Sequence, residues 1–397
     1  MSQIKVPFFK ASISEEEENA VLRVLRSGWL TTGKETLEFE KEFANKIQVP
    51  YALAVNSNTS GMILAMEACG VKKGKAVITT PYTFVSTASS ALHLGGEVYF
   101  ADIEKDSYSI DPQKVEEILK SPKGKNVVTI VPVHIGGNVC NMKKINQIAR
   151  KYNVKVIEDC AHSFPSKTEL GFAGTLGDIG VFSFYATKTI TTAEGGMVTT
   201  KDKNLADRMI KMRMHGMDRT TWDRYTSPKA SWEYDIVAAG YKFNLPDILS
   251  AIGRVQLSKA DDFDKKRKVH VEKYNNAFKN FDFVKLPPTS QGNAWHLYLL
   301  RLNLEKLKCD RNTFAKELQS RGLGISVHFI PLFNFTFWKE LYPDFRAENF
   351  PNAQEKYLQT ISLPLWPNMT QEMTDYVIQT VKEVGELYHD WKINWKN

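Results

Sequence analysis

Asp178-Ile179-Gly180-Val181-Phe182-Ser183-Phe184-Tyr185-Ala186-Thr187-Lys188 decides the fold. It opens as a short apolar run of the length of one buried strand. It then breaks into a polar loop that carries a single lysine, followed at once by small residues and by Gly195-Gly196. A lysine is strongly nucleophilic only when neutral, so it needs a partly desolvated or cationic setting. A lone lysine is far more often a solvated surface residue. What surrounds Lys188 in the chain therefore carries the reading.

Runs of the same kind lie on both sides: Val77 to Thr80, Glu97 to Phe100, Val127 to Val133, Val154 to Ile157 and Gly196 to Thr200. Helical patterns separate several of them, at Ser60 to Ala68, Pro112 to Leu119 and Met142 to Tyr152, the last with Asn141 as its N-cap. The alternation predicts an α/β fold with a mostly parallel central sheet sandwiched by helices. Ligands of such folds sit at the carboxyl ends of the strands. The polar residues ending these runs are thus the first candidates: Pro81 to Phe84, Asp102, His134, Glu158-Asp159 and Ser183 to Lys188.

Past about residue 245 the pattern changes. Ile248 to Phe278 reads as one or two long amphipathic helices. A strand-like Trp295 to Leu302 follows, then helices near Arg311 to Arg321 and Gln371 to Tyr388. The expected division is a large domain over 1–250, whose segment 1–35 packs near the site. A smaller C-terminal α+β domain over 251–397 begins with a long linking helix. Arg213 to Ala239 is rich in Trp, Tyr, Arg and Asp without clear periodicity, which predicts an ordered loop at a site or subunit contact.

Composition narrows the function. The chain has 397 residues and a formal net charge of +7. Its densest basic run, Asp264 to Lys268, lies beside Asp261 and Asp262 and reads as a solvated helix face, not a nucleic-acid surface. The positive balance suits an anionic small substrate such as a nucleotide diphosphate. Four cysteines form no CxxC pair, and His134, His162, His215, His296 and His328 are not spaced as metal ligands, so no metal is expected. There is no GxGxxG or Walker A sequence, hence no expected ATP or dinucleotide. No signal-peptide core and no 18-residue apolar run occur, which predicts a cytoplasmic protein with no membrane partner.

Three further features point to chemistry, each with a plainer alternative. Asp159 ends a strand-like run and could hold a pyridinium nitrogen protonated, or be an ordinary strand end or cap. Ser57-Asn58-Thr59-Ser60-Gly61 precedes a helical pattern and could hold an anion, or simply cap the helix. Phe84 could stack on a flat ring, or sit in the core.

Taken in order, the motifs are Ser-Asn-Thr-Ser at 57–60, Thr-Pro-Tyr-Thr-Phe-Val-Ser-Thr at 80–87, Glu-Asp-Cys-Ala-His at 158–162 and the lysine block to Gly196. The chain resembles the DegT/DnrJ/EryC1/StrS family of pyridoxal 5′-phosphate (PLP) sugar aminotransferases. The likeness extends through Ala239 to Ile248, Ser326 to Leu332 and Ile361 to Leu365. The resemblance implies the fold-type I aspartate-aminotransferase architecture. It implies that Lys188 holds PLP as a Schiff base and moves the proton as the cofactor cycles with pyridoxamine phosphate (PMP). Asp159 would pair with the ring nitrogen. Phe84 and Ala161 would cover the two ring faces, and His162 would stand near the 3′ oxygen. Asn58, Thr59 and Ser183 would bind the phosphate. Asn244, with Lys242, would reach the phosphate in the neighbouring subunit, which implies a homodimer with shared sites.

The implied substrates are glutamate or glutamine and a nucleotide-linked keto-sugar, a 4-keto or 3-keto hexose. Trp29 to Gly33 (Trp29 and Thr31 in particular), Tyr185, the 213–224 loop and His328 are the candidate substrate contacts. Three departures stand out: Asn58 where the family often has Gly, Lys242-Phe243-Asn244 where many members have Asn-Tyr-Arg, and Phe333 where many have a second His. Readings kept beside this one are a same-fold enzyme acting on a cyclitol ketone, a sugar dehydratase and a non-catalytic regulator.

Overall fold

A computed structural model describes residues 4–218, 233–290 and 292–390. The central sheet contains β1 (Tyr51–Val55), β2 (Ala76–Thr79), β3 (Glu97–Phe100), β4 (Val127–Ile130) and β5 (Lys155–Asp159). A hairpin of β6 (Lys167–Thr168) and β7 (Gly171–Phe172) stands apart, and β8 (Ile179–Ser183) and β9 (Gly196–Thr200) complete the sheet. The order is β1-β9-β8-β5-β4-β2-β3. Every neighbouring pair from β3 to β8 is parallel, and β9 runs against both β8 and β1. This is the expected α/β architecture.

Side-chain alternation explains the layering. Val77, Ile157 and Val181 face one cluster, which contains Met62 and Leu64 of helix Asn58–Ala68 and Met209 of helix Lys203–Arg213. Their neighbours Ile78 and Val156 face another, with Val115 and Ile145. Phe182 faces a third, with Phe39 and Phe43 of helix Lys34–Ile47. Strands covered on both faces are apolar throughout, as parallel strands must be. Where the sequence suggested a strand to Val133, β4 ends at Ile130. Pro132 has no N–H for the ladder, although Val131 N still donates to Ile78 O at 2.8 Å.

A second, antiparallel sheet has the order β10-β11-β12, from β10 (Val284–Lys285), β11 (Tyr298–Leu302) and β12 (Thr360–Leu363). Its core holds Tyr274 and Phe278 with Val377, Val381 and Val384 of helix Gln371–Tyr388, and also Val6. The expected boundary at 250/251 is not where the cores change. Leu257, Ala260 and Phe263 pack in the large body, and Val271, Tyr274 and Phe278 in the small one. The change falls inside helix Ala260–Phe278. Residues 332–353 also return to the large body, through Leu332, Phe333, Trp338 and Phe350. The centre of the aromatic-rich segment, 219–232, lies outside the described residues.

One long-range contact orders the N-terminal half. Helix Lys34–Ile47 starts at Gly33, which has no side chain to cap it. The Asp247 carboxylate does so instead: it accepts from Gly33 N at 2.7 Å, Thr36 N at 3.0 Å and Thr36 Oγ1 at 2.7 Å. A carboxylate at a helix start satisfies its orphan amides and meets the positive end of its dipole.

Candidate active site

Lys188 lies past the end of β8, half-buried on the wall of a cavity of about 590 Å³. Burial lowers the amine to about 8, against the pull of the Asp159 carboxylate. The loop after it is pinned: Thr189 O accepts from Arg267 Nη2 at 3.2 Å, and Thr191 N donates to Gln256 Oε1 at 3.3 Å.

Asp159 is the last residue of β5, on the next strand, and is 3% exposed. Burial raises its carboxyl, opposed by two hydrogen bonds. Thr87 Oγ1 donates to Oδ2 at 2.7 Å, and Ala161 N donates to Oδ1 at 3.1 Å. Since Thr87 donates there, its oxygen accepts from Thr83 Oγ1, 2.8 Å away. Thr83 stands just before helix Val85–His93, and Thr87 lies in its first turn; the sequence patterns did not reveal this helix. Thr83 falls within the expected Pro81 to Phe84 group; Thr87, four residues on, is the functional neighbour missed from sequence.

The start of helix Asn58–Ala68 enters the same cavity through Ser57, Asn58 and Thr59. Ser57 caps it by accepting from Ser60 N at 3.1 Å. The amides of Asn58 and Thr59 have no carbonyl one turn earlier, so they are free donors at a positive helix end. The Asn58 side chain is turned inward, its Nδ2 donating to Val181 O at 3.0 Å. Asn in place of Gly thus ties the helix to β8 while leaving its backbone at the cavity. Two glycines allow the approach: a Cβ on Gly61 would stand 2.7 Å from Val181, and one on Gly196 would stand 3.0 Å from Asn58 N.

Phe84, Ala161, His162, Ser183, Tyr185 and His328 all line this cavity. Phe84 is 59% exposed, a large apolar ring whose aromatic neighbour Phe329 lies tilted at 6.3 Å. His162 is buried and accepts from Gly136 N at Nδ1, 3.2 Å away, which leaves Nε2 to carry its proton. His296, which the spacing argument set aside, is also there, with its ring 4.5 Å from that of His162. Burial and the Lys188 charge hold His162 and His296 far below the ordinary imidazole range and lower His328 to about 4.

Other candidates do not join the cavity wall of their own chain. Trp29 and Thr31 sit on a surface loop held by Asn244, whose Nδ2 donates to Thr32 Oγ1 at 2.7 Å. Lys242 is exposed, with Nζ 3.3 Å from Met214 Sδ. Phe333 is buried in the core and stacks on Phe350 at 5.8 Å, so that departure from the family pattern changes packing and not the cavity. His134 and Glu158 form a buried pair behind β5 at 2.9 Å. Cys160 adds a third potential ligand. The Glu158 oxygens, however, already accept from Gly174, Leu176 and Gly177 amides, and the group reads as structural.

The pattern of the DegT/DnrJ/EryC1/StrS aminotransferase family matches residues 11–382. This chain belongs to that family. It is 38% identical over 382 residues to the spore coat polysaccharide biosynthesis protein SpsC of Bacillus subtilis (strain 168), covering 96% of this chain and 97% of the relative. It is 29% identical to the putative sugar aminotransferase Spr1654 from Streptococcus pneumoniae, whose PMP-form matches with a TM-score of 0.88 over 96% of this chain and 99% of that one. The PLP-form of Spr1654 matches with the same TM-score of 0.88. Helicobacter pylori PseC, an aminotransferase involved in the biosynthesis of pseudoaminic acid, is 28% identical, with a TM-score of 0.88 over 97% of this DegT/DnrJ/EryC1/StrS chain and all of PseC.

Proposed function

We propose that this chain is a PLP-dependent aminotransferase that moves an amino group from glutamate or glutamine to a nucleotide-linked keto-sugar, a 4-keto or 3-keto hexose. One observation carries the reading: an amine lowered to about 8 and a buried strand-end carboxylate face one cavity. A lowered amine supplies neutral nucleophile and base near physiological pH. A buried carboxylate with two donors can still accept a pyridinium N–H, which would supply the countercharge its burial lacks.

The other residues fit PLP. Phe84 offers an exposed ring to a flat group. The free amides of Asn58 and Thr59, with the hydroxyls of Thr59 and Ser183, suit a phosphate dianion. Ala161, also on the cavity wall, would cover the other ring face, and His162 has an N–H for the ring oxygen. When bound, the cofactor supplies an electron sink for the carbanion formed at the amino carbon. Lys188 would anchor it and, as a neutral amine, would take the proton from the amino carbon of the donor and return one to that of the acceptor. Asp159 keeps the opposing charge fixed throughout.

Lys242 is the better candidate for reaching the partner's cofactor phosphate, because it brings a full positive charge, whereas the Asn244 amide is neutral and already gives one of its two N–H donors to Thr32 of its own chain. That assignment makes the enzyme a homodimer with shared sites and places the loop of Trp29 and Thr31, through Asn244, at the subunit junction. The substrate contacts proposed within the chain are Tyr185 and His328. No helix among the described residues is long and apolar enough to cross a membrane.

The test is spectroscopic. Protein incubated with PLP develops the visible band of a lysine-bound cofactor, and Lys188→Ala abolishes it. Glutamate converts the spectrum to that of the pyridoxamine form, which a dehydratase or binding protein would not show. A panel of nucleotide-linked 4-keto, 3-keto and cyclitol ketones then identifies the acceptor. Absence of the band in the unmodified protein removes the proposal.

A further inference from the structure

The N-terminal strand enters the cavity. Val6 pairs with Leu323: its amide donates to Gly322 O at 3.0 Å, and its carbonyl accepts from Gly324 N at 2.7 Å. Val6 is fully buried in the small core. At Gly324 a Cβ would stand 2.1 Å from Phe8 N, so this close backbone approach requires glycine. The anchored strand delivers Phe8 and Phe9 to the cavity wall.

Phe8 stacks on the His328 ring, with centroids 5.6 Å apart and planes at 22°. His328 is fixed independently: its Nδ1 lies 2.9 Å from Ser362 Oγ, and its carbonyl accepts from Tyr82 Oη–H at 2.8 Å. The His328 ring in turn meets His162 edge-on at 6.3 Å. A row of rings therefore leads from His162, within reach of the Lys188 charge, out to Phe8. Val327, Ile330, Leu363 and Leu365 make the surrounding wall apolar.

An aminotransferase brings two substrates in turn to one lysine, and the reacting carbon of each must reach the same place. Glutamate is short and carries charges that seek polar partners. A nucleotide sugar is longer, and its ring presents a C–H face that packs against an aromatic face. We infer that Phe8 and Phe9 form the wall on which the acceptor's sugar ring lies, so that the N-terminal strand sets specificity in the second half-reaction and takes no part in the first. This rests on the aminotransferase reading above.

The test separates the half-reactions in single turnovers of the full-length holoenzyme. The PLP form is mixed with glutamate, and the PMP form with the nucleotide-linked keto-sugar that the unmodified enzyme consumes. In Phe8→Ala the glutamate step is expected to stay within about twofold, while the keto-sugar step loses about 10- to 100-fold in kcat/KM, the scale of lost apolar packing in a specificity pocket. Phe8→Leu, which keeps the strand's packing volume, should show the same selectivity with a smaller loss. Equal losses in both half-reactions would make Phe8 a general support of the site and overturn the inference, as would no loss in either. If the unmodified enzyme converts glutamate but no keto-sugar at all, the assigned acceptor class fails instead. If it never forms the lysine-bound cofactor, the aminotransferase reading itself fails.

Discussion

At Lys188, charge alone does not suffice for the proposed chemistry. Lys188→Arg keeps the cation but cannot be deprotonated, so it should lose all measurable transamination in a coupled glutamate assay. The lowered amine sets a pH dependence. As pH rises toward about 8 the neutral fraction grows, so the rate at which apoprotein takes up PLP should climb and level off above that point. A rate flat from pH 6.5 to 9 would count against the lowered amine. Asp159→Asn should reduce turnover by about 10²–10³-fold, the loss typical of removing one preorganised electrostatic partner, with PLP still bound. Much of this was readable in sequence because Lys188, Asp159 and Phe84 each follow an apolar run. Thr87 and His296 were not, since what assigns them is the contact across strands and not a local pattern.

Among the secondary-structure elements, the decisive contacts are caps and close approaches. Asp247→Ala removes the acceptor for the start of helix Lys34–Ile47 and leaves buried donors unsatisfied. A loss of about 1–3 kcal/mol is expected in denaturant unfolding, with Asp247→Asn costing less. A stability unchanged in Asp247→Ala would show that water replaces the cap. Sequence could not disclose this contact: Gly33 gives no capping signal, and its partner lies 214 residues away. The amphipathic helices Met142–Tyr152 and Gln371–Tyr388 were legible because one face of each is apolar. Helix Val85–His93 was not, because Ser and Thr fill a buried surface with hydroxyls that bond inward, as Ser90 Oγ does to Ser86 O at 2.7 Å.

Across the whole molecule, the histidines of the cavity make acid a destabilising condition. His162, His296 and His328 are held neutral when folded and are free to charge when unfolded. Below the ordinary imidazole range the unfolded chain therefore binds more protons, and stability falls as pH drops from about 6.5 to about 4. His328→Gln should flatten that fall in the apoprotein by about 1–3 kcal/mol, read from unfolding at pH 7 and pH 4.5. The alternation of strands and helices gave the large body its architecture from sequence alone. The place where the two cores exchange did not follow, because one continuous helix serves both and no change of composition marks the point. The cap on Gly33 also orders events in time. A ribosome adds residues from the N-terminus, so helix Lys34–Ile47 leaves the exit tunnel long before Asp247 has been made. Its first amides wait for a partner that arrives only after the whole central sheet has been synthesised. The start of that helix is thus among the first parts of the large body to be born, yet its cap is completed only once the chain has reached Asp247.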